Sequence, residues 1–139
     1  MELNIRIAGM WLILAIAYTL HNVLHIQVIQ FGIDVVAKDA DGTIPAYSHV
    51  IHTVFETGTL VLVLLTFFYS TRGFRLFTFA WSLVLLPVNL LHLAGTIAEE
   101  GFGDISQVVL LVLILAVNGV LAAQANRWRK QAPGQQTVK

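Results

Sequence analysis

Four long apolar runs constrain the fold of this chain more than any other feature of its sequence. The runs cover residues 7–31, 47–71, 75–98 and 105–126, and Glu56 is the only charged residue inside them apart from Arg75 at one edge. A helix that crosses the hydrocarbon core of a bilayer needs about 20 largely apolar residues. The sequence therefore predicts an all-α fold, an integral membrane four-helix bundle that forms a single domain over residues 1–130.

The composition agrees with a membrane protein and excludes several kinds of partner. Only 12% of the residues are charged, whereas a soluble domain has about 25%. The formal net charge is zero, so nothing in the charge balance favours binding to nucleic acid, and the predicted surrounding is a lipid bilayer. The chain has no cysteine, which excludes disulfides, iron–sulfur clusters and thiolate metal sites.

The basic residues predict how the spans are oriented. All but one of the eight lysines and arginines flank the N-terminus, the loop between the second and third runs, or the C-terminus; the exception is Lys38. Because basic loops stay in the cytoplasm, we expect an up-down-up-down bundle with both termini cytoplasmic and with loops 32–46 and 99–104 outside. The expected location is a plasma membrane of the bacterial inner-membrane type. Residues 131–139, with Pro133 and Gly134, are expected to form a disordered cytoplasmic tail.

Aromatic residues near the predicted cytoplasmic ends are typical of an interfacial belt. Trp11 is expected to anchor the first span at this interface. Trp81, Trp128 and the aromatic residues of segments 67–69 and 74–79 are expected to lie at the same level.

Glu56 is the residue that most needs an explanation, because a carboxylate inside a bilayer costs roughly 2.5–3.5 kcal/mol on insertion scales. The depth of a residue can be estimated from the outer end of its span, at about 1.5 Å per residue. By this estimate, several polar residues of the first three spans lie in two adjacent layers of the bundle. The upper layer, roughly 8–9 Å deep, holds His25, His52 and His92. The lower layer, roughly 13–14 Å deep, holds His21, Glu56 and Asn89.

This convergence predicts a transition-metal site. Imidazole nitrogens suit zinc, copper and iron, so we expect His25, His52, His92 and Glu56 to be the ligands. His21 and Asn89 would orient those ligands by hydrogen bonding, while His49, Gln107 and Glu99 would lie at the rim. A metal with an open coordination position would support a membrane-embedded enzyme. The sequence does not choose between hydrolysis and oxidation as its reaction.

Three alternatives remain open from the sequence. Two of the histidines could hold a b-type haem for electron transfer, or the His and Glu side chains could relay protons or bind substrate in a transporter component. The polar residues could also serve only as hydrogen bonds between helices. In that case the protein would be a non-catalytic accessory subunit of a larger membrane complex, or a homo-oligomer.

Overall fold

The computed structural model describes residues 2–32, 34, 36, 41–100 and 104–131, without the side chains of residues 99 and 100. The described residues contain four helices that are long and apolar enough to cross a membrane, which confirms the predicted number of spans. The predicted disordered tail lies outside the described residues from position 132 onward.

A short change of helix type occurs in two of the spans, at the end of the first and within the second. The first span is helix α1 (Leu3–Gln27) followed by a 3₁₀ turn (Val28–Phe31), and the second is α2 (Ala46–His52), a π-helical turn (Thr53–Thr57) and α3 (Gly58–Phe68). The third span is α4 (Arg72–Glu100) and the fourth is α5 (Ile105–Lys130).

The helices extend beyond the apolar runs where their ends are packed. Helix α5 continues to Lys130 rather than to residue 126 because Trp128 is only 2% exposed and belongs to the core. Arg75 supports this end: its guanidinium lies 5.4 Å from the centre of the Trp128 ring and donates hydrogen bonds to the carbonyls of Trp128 (3.3 Å) and Gln131 (3.1 Å). These contacts tie the start of α4 to the C-terminal end of α5.

The expected role of the tryptophans as an interfacial belt needs correction. Trp11 is fully buried and Trp128 nearly so, both in the same core cluster. A large aromatic side chain gains dispersion contacts when it packs between helices. Hydropathy alone does not distinguish a tryptophan that faces protein from one that faces lipid headgroups.

The spans do not form a closed ring. Helix α1 packs against both α3 and α5, and α4 packs against α5. Among the described residues, close backbone contact is missing between the second and third spans, although they follow each other in the chain. The side of the bundle between these two spans is therefore its open side.

Candidate functional site

A cavity of about 260 Å³ lies among the spans, and residues of the second and third spans, whose backbones lack close contact, both line it. All four spans contribute to its wall. Its polar lining residues come from the first three spans, and its apolar residues include Phe55, Val88, Leu111 and Ile114. The polar lining residues are Tyr18, His21, Asn22, His52, Glu56, Asn89 and His92.

Two histidines of the cavity are in direct contact. The Nε2 atoms of His21 and His92 lie 3.0 Å apart, and their rings are nearly perpendicular, at 87°. At this distance one ring can donate a hydrogen bond to the other if their tautomers differ. Adjacent ligands of a tetrahedral zinc ion lie about 3.3 Å apart, given Zn–N bonds of about 2.0–2.1 Å. The pair therefore also has nearly the separation of two imidazoles that share a metal.

A carboxylate and its two partners form the second polar group. One oxygen of Glu56, Oε1, lies 2.7 Å from Nδ1 of His52 and also accepts a hydrogen bond from the side-chain amide of Asn22. Charge-assisted hydrogen bonds of this kind compensate for burying a carboxylate. The partners of Glu56 are thus Asn22 on the first span and His52 one turn earlier in its own span. The other carboxylate oxygen, Oε2, has no hydrogen-bond partner among the described residues.

The π-helical turn Thr53–Thr57 contains Glu56 and follows directly after His52. Such single π turns occur frequently at functional sites in proteins. Here the irregular turn lies in the wall of the cavity, within a span that the sequence predicts as one continuous apolar helix. It is the local structure that carries the carboxylate.

A hydrogen-bonded ladder extends from the cavity into the core. Tyr18 and Asn89 exchange hydrogen bonds at 3.2 Å, and the Asn89 amide donates to Asn118 at 3.0 Å. The Asn118 amide in turn donates to the carbonyl of Ser82 at 3.0 Å. Asn118 is fully buried, so the ladder joins the first, third and fourth spans through groups that have partners. Asn118 therefore joins the fourth span to the third.

His25 lies apart from the other predicted ligands. It is exposed and does not line the cavity. Its hydrogen-bond partner is Gln107, with 3.4 Å between Nδ1 of His25 and Nε2 of Gln107. Gln107, which the sequence predicts at the rim of the site, is buried, with 2% of its surface exposed. His49 is exposed and does not line the cavity, whereas the side chain of Glu99 lies outside the described residues.

The four predicted metal ligands thus divide into three places. His52 and Glu56 are together, His92 contacts His21 instead, and His25 contacts Gln107. Within the described ranges no group of three or more His, Asp or Glu side chains has the arrangement of a metal site. Asn89 belongs to the ladder rather than to either pair.

The sequence interpretation missed two residues of the cavity, Tyr18 and Asn22. Both were visible as polar residues of the first span, and their spacing of four residues places them on one helical face. Asn22 donates a hydrogen bond to Glu56 beside the contact from His52. An amide is as suitable a partner for a carboxylate as an imidazole, and the position of Asn22 one residue after His21 indicates it.

Comparison with known proteins returns no match: no family model, no curated protein and no solved structure is similar to this chain. The chemistry of the cavity is therefore the basis for assigning a function.

Proposed function

We propose that this membrane protein binds a transition-metal ion, zinc, copper or iron, in the cavity between its spans. The observation that carries the proposal is the 3.0 Å separation of the Nε2 atoms of His21 and His92, in a cavity that His52 and Glu56 also line. Two imidazole nitrogens that face each other inside a membrane fit a shared cation, because imidazole is a preferred ligand of these metals.

The proposed ligand set differs from the one that the sequence suggested. His21 takes the place of His25, and His21 and His92 supply two adjacent positions. His52 and Glu56, which the second span contributes to the same cavity wall, would supply the remaining two. A bound ion of this kind acts as a Lewis acid toward water or an oxygen-containing ligand.

A b-type haem fits this geometry less well. A haem held by two histidines would need them on either side of the porphyrin. His21 and His92 instead contact each other directly, at 3.0 Å. A non-haem ion, which accepts ligands at adjacent positions, therefore suits the pair better.

A second candidate function uses no metal. In this candidate function, the two rings of His21 and His92 form a hydrogen bond with each other. The cavity then relays protons as part of a transporter. The ladder from Tyr18 through Asn89 to Asn118 favours this candidate, because it continues the polar path beyond the cavity. Intramembrane ionisable residues commonly mark such paths.

Elemental analysis of protein purified without chelators tests the metal proposal. We expect about one transition-metal ion per chain in the wild type and none in His92→Ala. His49→Ala is the matched control, since His49 is an exposed histidine away from the cavity, and it should keep the ion. A metal-free wild type, or equal metal in wild type and His92→Ala, would exclude this site. A Soret band in the absorption spectrum would support the haem alternative instead.

A further inference from the structure

We propose that the cavity also binds a lipid-soluble organic amine, with the ammonium group on Glu56. Three properties of the cavity lead to this occupant: its size, the direction from which it can be reached, and the charge of its one carboxylate. The inference does not require the metal, although an ion and an amine would compete for the same carboxylate.

The volume sets the size of the occupant. An apolar protein cavity of about 150 Å³ holds one benzene molecule, so a cavity of about 260 Å³ holds a molecule of roughly ten non-hydrogen atoms by the same ratio. This corresponds to one aromatic ring with a short substituent. Phe55, Val88, Leu111 and Ile114 provide apolar wall for the ring.

The packing of the spans sets the route. Contacts between α1 and α3, α1 and α5, and α4 and α5 close three sides of the bundle, whereas the second and third spans lack close backbone contact in the part of the chain that the structure describes. Inside a bilayer this open side faces lipid. A molecule that reaches the cavity through it must first partition into the membrane, which selects for apolar ligands.

The polar group of the occupant follows from Glu56. Within the described part of the chain, the hydrogen bonds to this carboxylate both use Oε1, so Oε2 is available there to accept another. A ligand that donates there satisfies the carboxylate, and a positively charged donor gains more than a neutral one because it also meets the negative charge. Phe55 and Tyr18, whose rings are 5.8 Å apart in an edge-to-face arrangement, add aromatic faces that attract an organic cation.

Phenylethylamine and phenylethanol form a matched pair of probes, because they have the same size and differ only in the charged group. Equilibrium dialysis of the labelled probes against protein in nanodiscs, with empty nanodiscs as background, measures the affinity for each. With protein that a chelator has freed of metal, we expect the wild type to bind the amine about tenfold more tightly than the alcohol. In Glu56→Gln the two affinities should become equal.

Two further variants separate loss of the site from loss of the fold. His49→Gln changes an exposed residue of the same span that does not line the cavity, and it should keep the preference for the amine. Val88→Phe places a larger side chain in the cavity wall at a residue that is 38% exposed, so it should weaken binding of both probes while the protein remains folded.

His92→Ala separates this inference from the metal proposal, because it removes a proposed ligand of the ion and leaves Glu56 in place. It should bind the amine at least as tightly as the wild type. The proposal is overturned if neither the wild type nor His92→Ala prefers the amine to the alcohol, or if Glu56→Gln keeps that preference. A wild type without metal that still prefers the amine would exclude the metal site and support this one.

Discussion

The Nε2 atoms of His21 and His92 lie 3.0 Å apart, although 71 positions separate the two residues in the chain. The contact joins the first and third spans, which pack against other spans rather than closely against each other. These two spans therefore meet through polar side chains.

Replacement of His25 distinguishes the two ligand sets. Because His25 contacts Gln107 and does not line the cavity, His25→Ala should keep the metal that His92→Ala loses. Its cost in stability should be about 0.6 kcal/mol, the average for a hydrogen bond between membrane helices. Elemental analysis of both variants, with unfolding measured in parallel, checks this. Equal loss of metal in the two variants would restore His25 as a ligand.

Replacement of Asn118 tests the ladder as a stabilising element. Asn118→Ala removes one hydrogen bond to Ser82 and one from Asn89 at a fully buried position. We expect the free energy of unfolding to fall by about 1–2 kcal/mol, measured by denaturant titration in detergent micelles. Thr19→Ala is the control, since Thr19 is exposed and bonds only within its own helix. A loss no larger than that of the control would show that the ladder adds no stability.

Replacement of Arg75 tests how the C-terminal end of α5 is held. Arg75→Ala removes two hydrogen bonds to carbonyls at that end and the stacking on Trp128. The expected loss is about 2–4 kcal/mol, measured by unfolding in micelles. Arg75→Lys should recover less than half, because an ammonium does not have the planar geometry of a guanidinium. Arg72→Ala, at an exposed neighbour, should change stability by no more than about 0.5 kcal/mol. An Arg75→Ala variant as stable as Arg72→Ala would contradict this account.

Cysteine labelling tests the predicted orientation. The chain has no natural cysteine, so each introduced thiol is the only one present. Ser70, between the second and third spans, and Ser106, at the start of the fourth, are both exposed. Because basic loops stay in the cytoplasm, an impermeant thiol reagent should label Ser106→Cys in intact cells and Ser70→Cys only after permeabilisation. The opposite pattern would mean that the termini lie outside.

The number of spans was predictable because it depends on the length of each apolar run alone. The region of the polar cluster was also predictable in part, because helical spacing placed His21, His52, Glu56 and His92 at similar depths. All four line the cavity.

The pairing of these residues was not predictable, because depth counted from estimated helix ends carries the error of those ends. Helix α4 continues to Glu100, beyond the predicted end at residue 98, so the helix end from which the position of His92 is counted shifts by two residues. The 3₁₀ turn Val28–Phe31 and the π-helical turn Thr53–Thr57 also change the rise and rotation per residue. Neither turn has a marker in the local sequence.

The order in which the spans pack has a consequence for biosynthesis. The second span finds its packing partner, α1, already in the membrane when it leaves the ribosome. The third span is released before α5, against which it packs most closely, and Asn89 lacks its Asn118 partner until the end of synthesis. A nascent chain that stops before residue 105 would therefore hold a third span without its main packing partner, with Asn89 bonded to Tyr18 but not to Asn118.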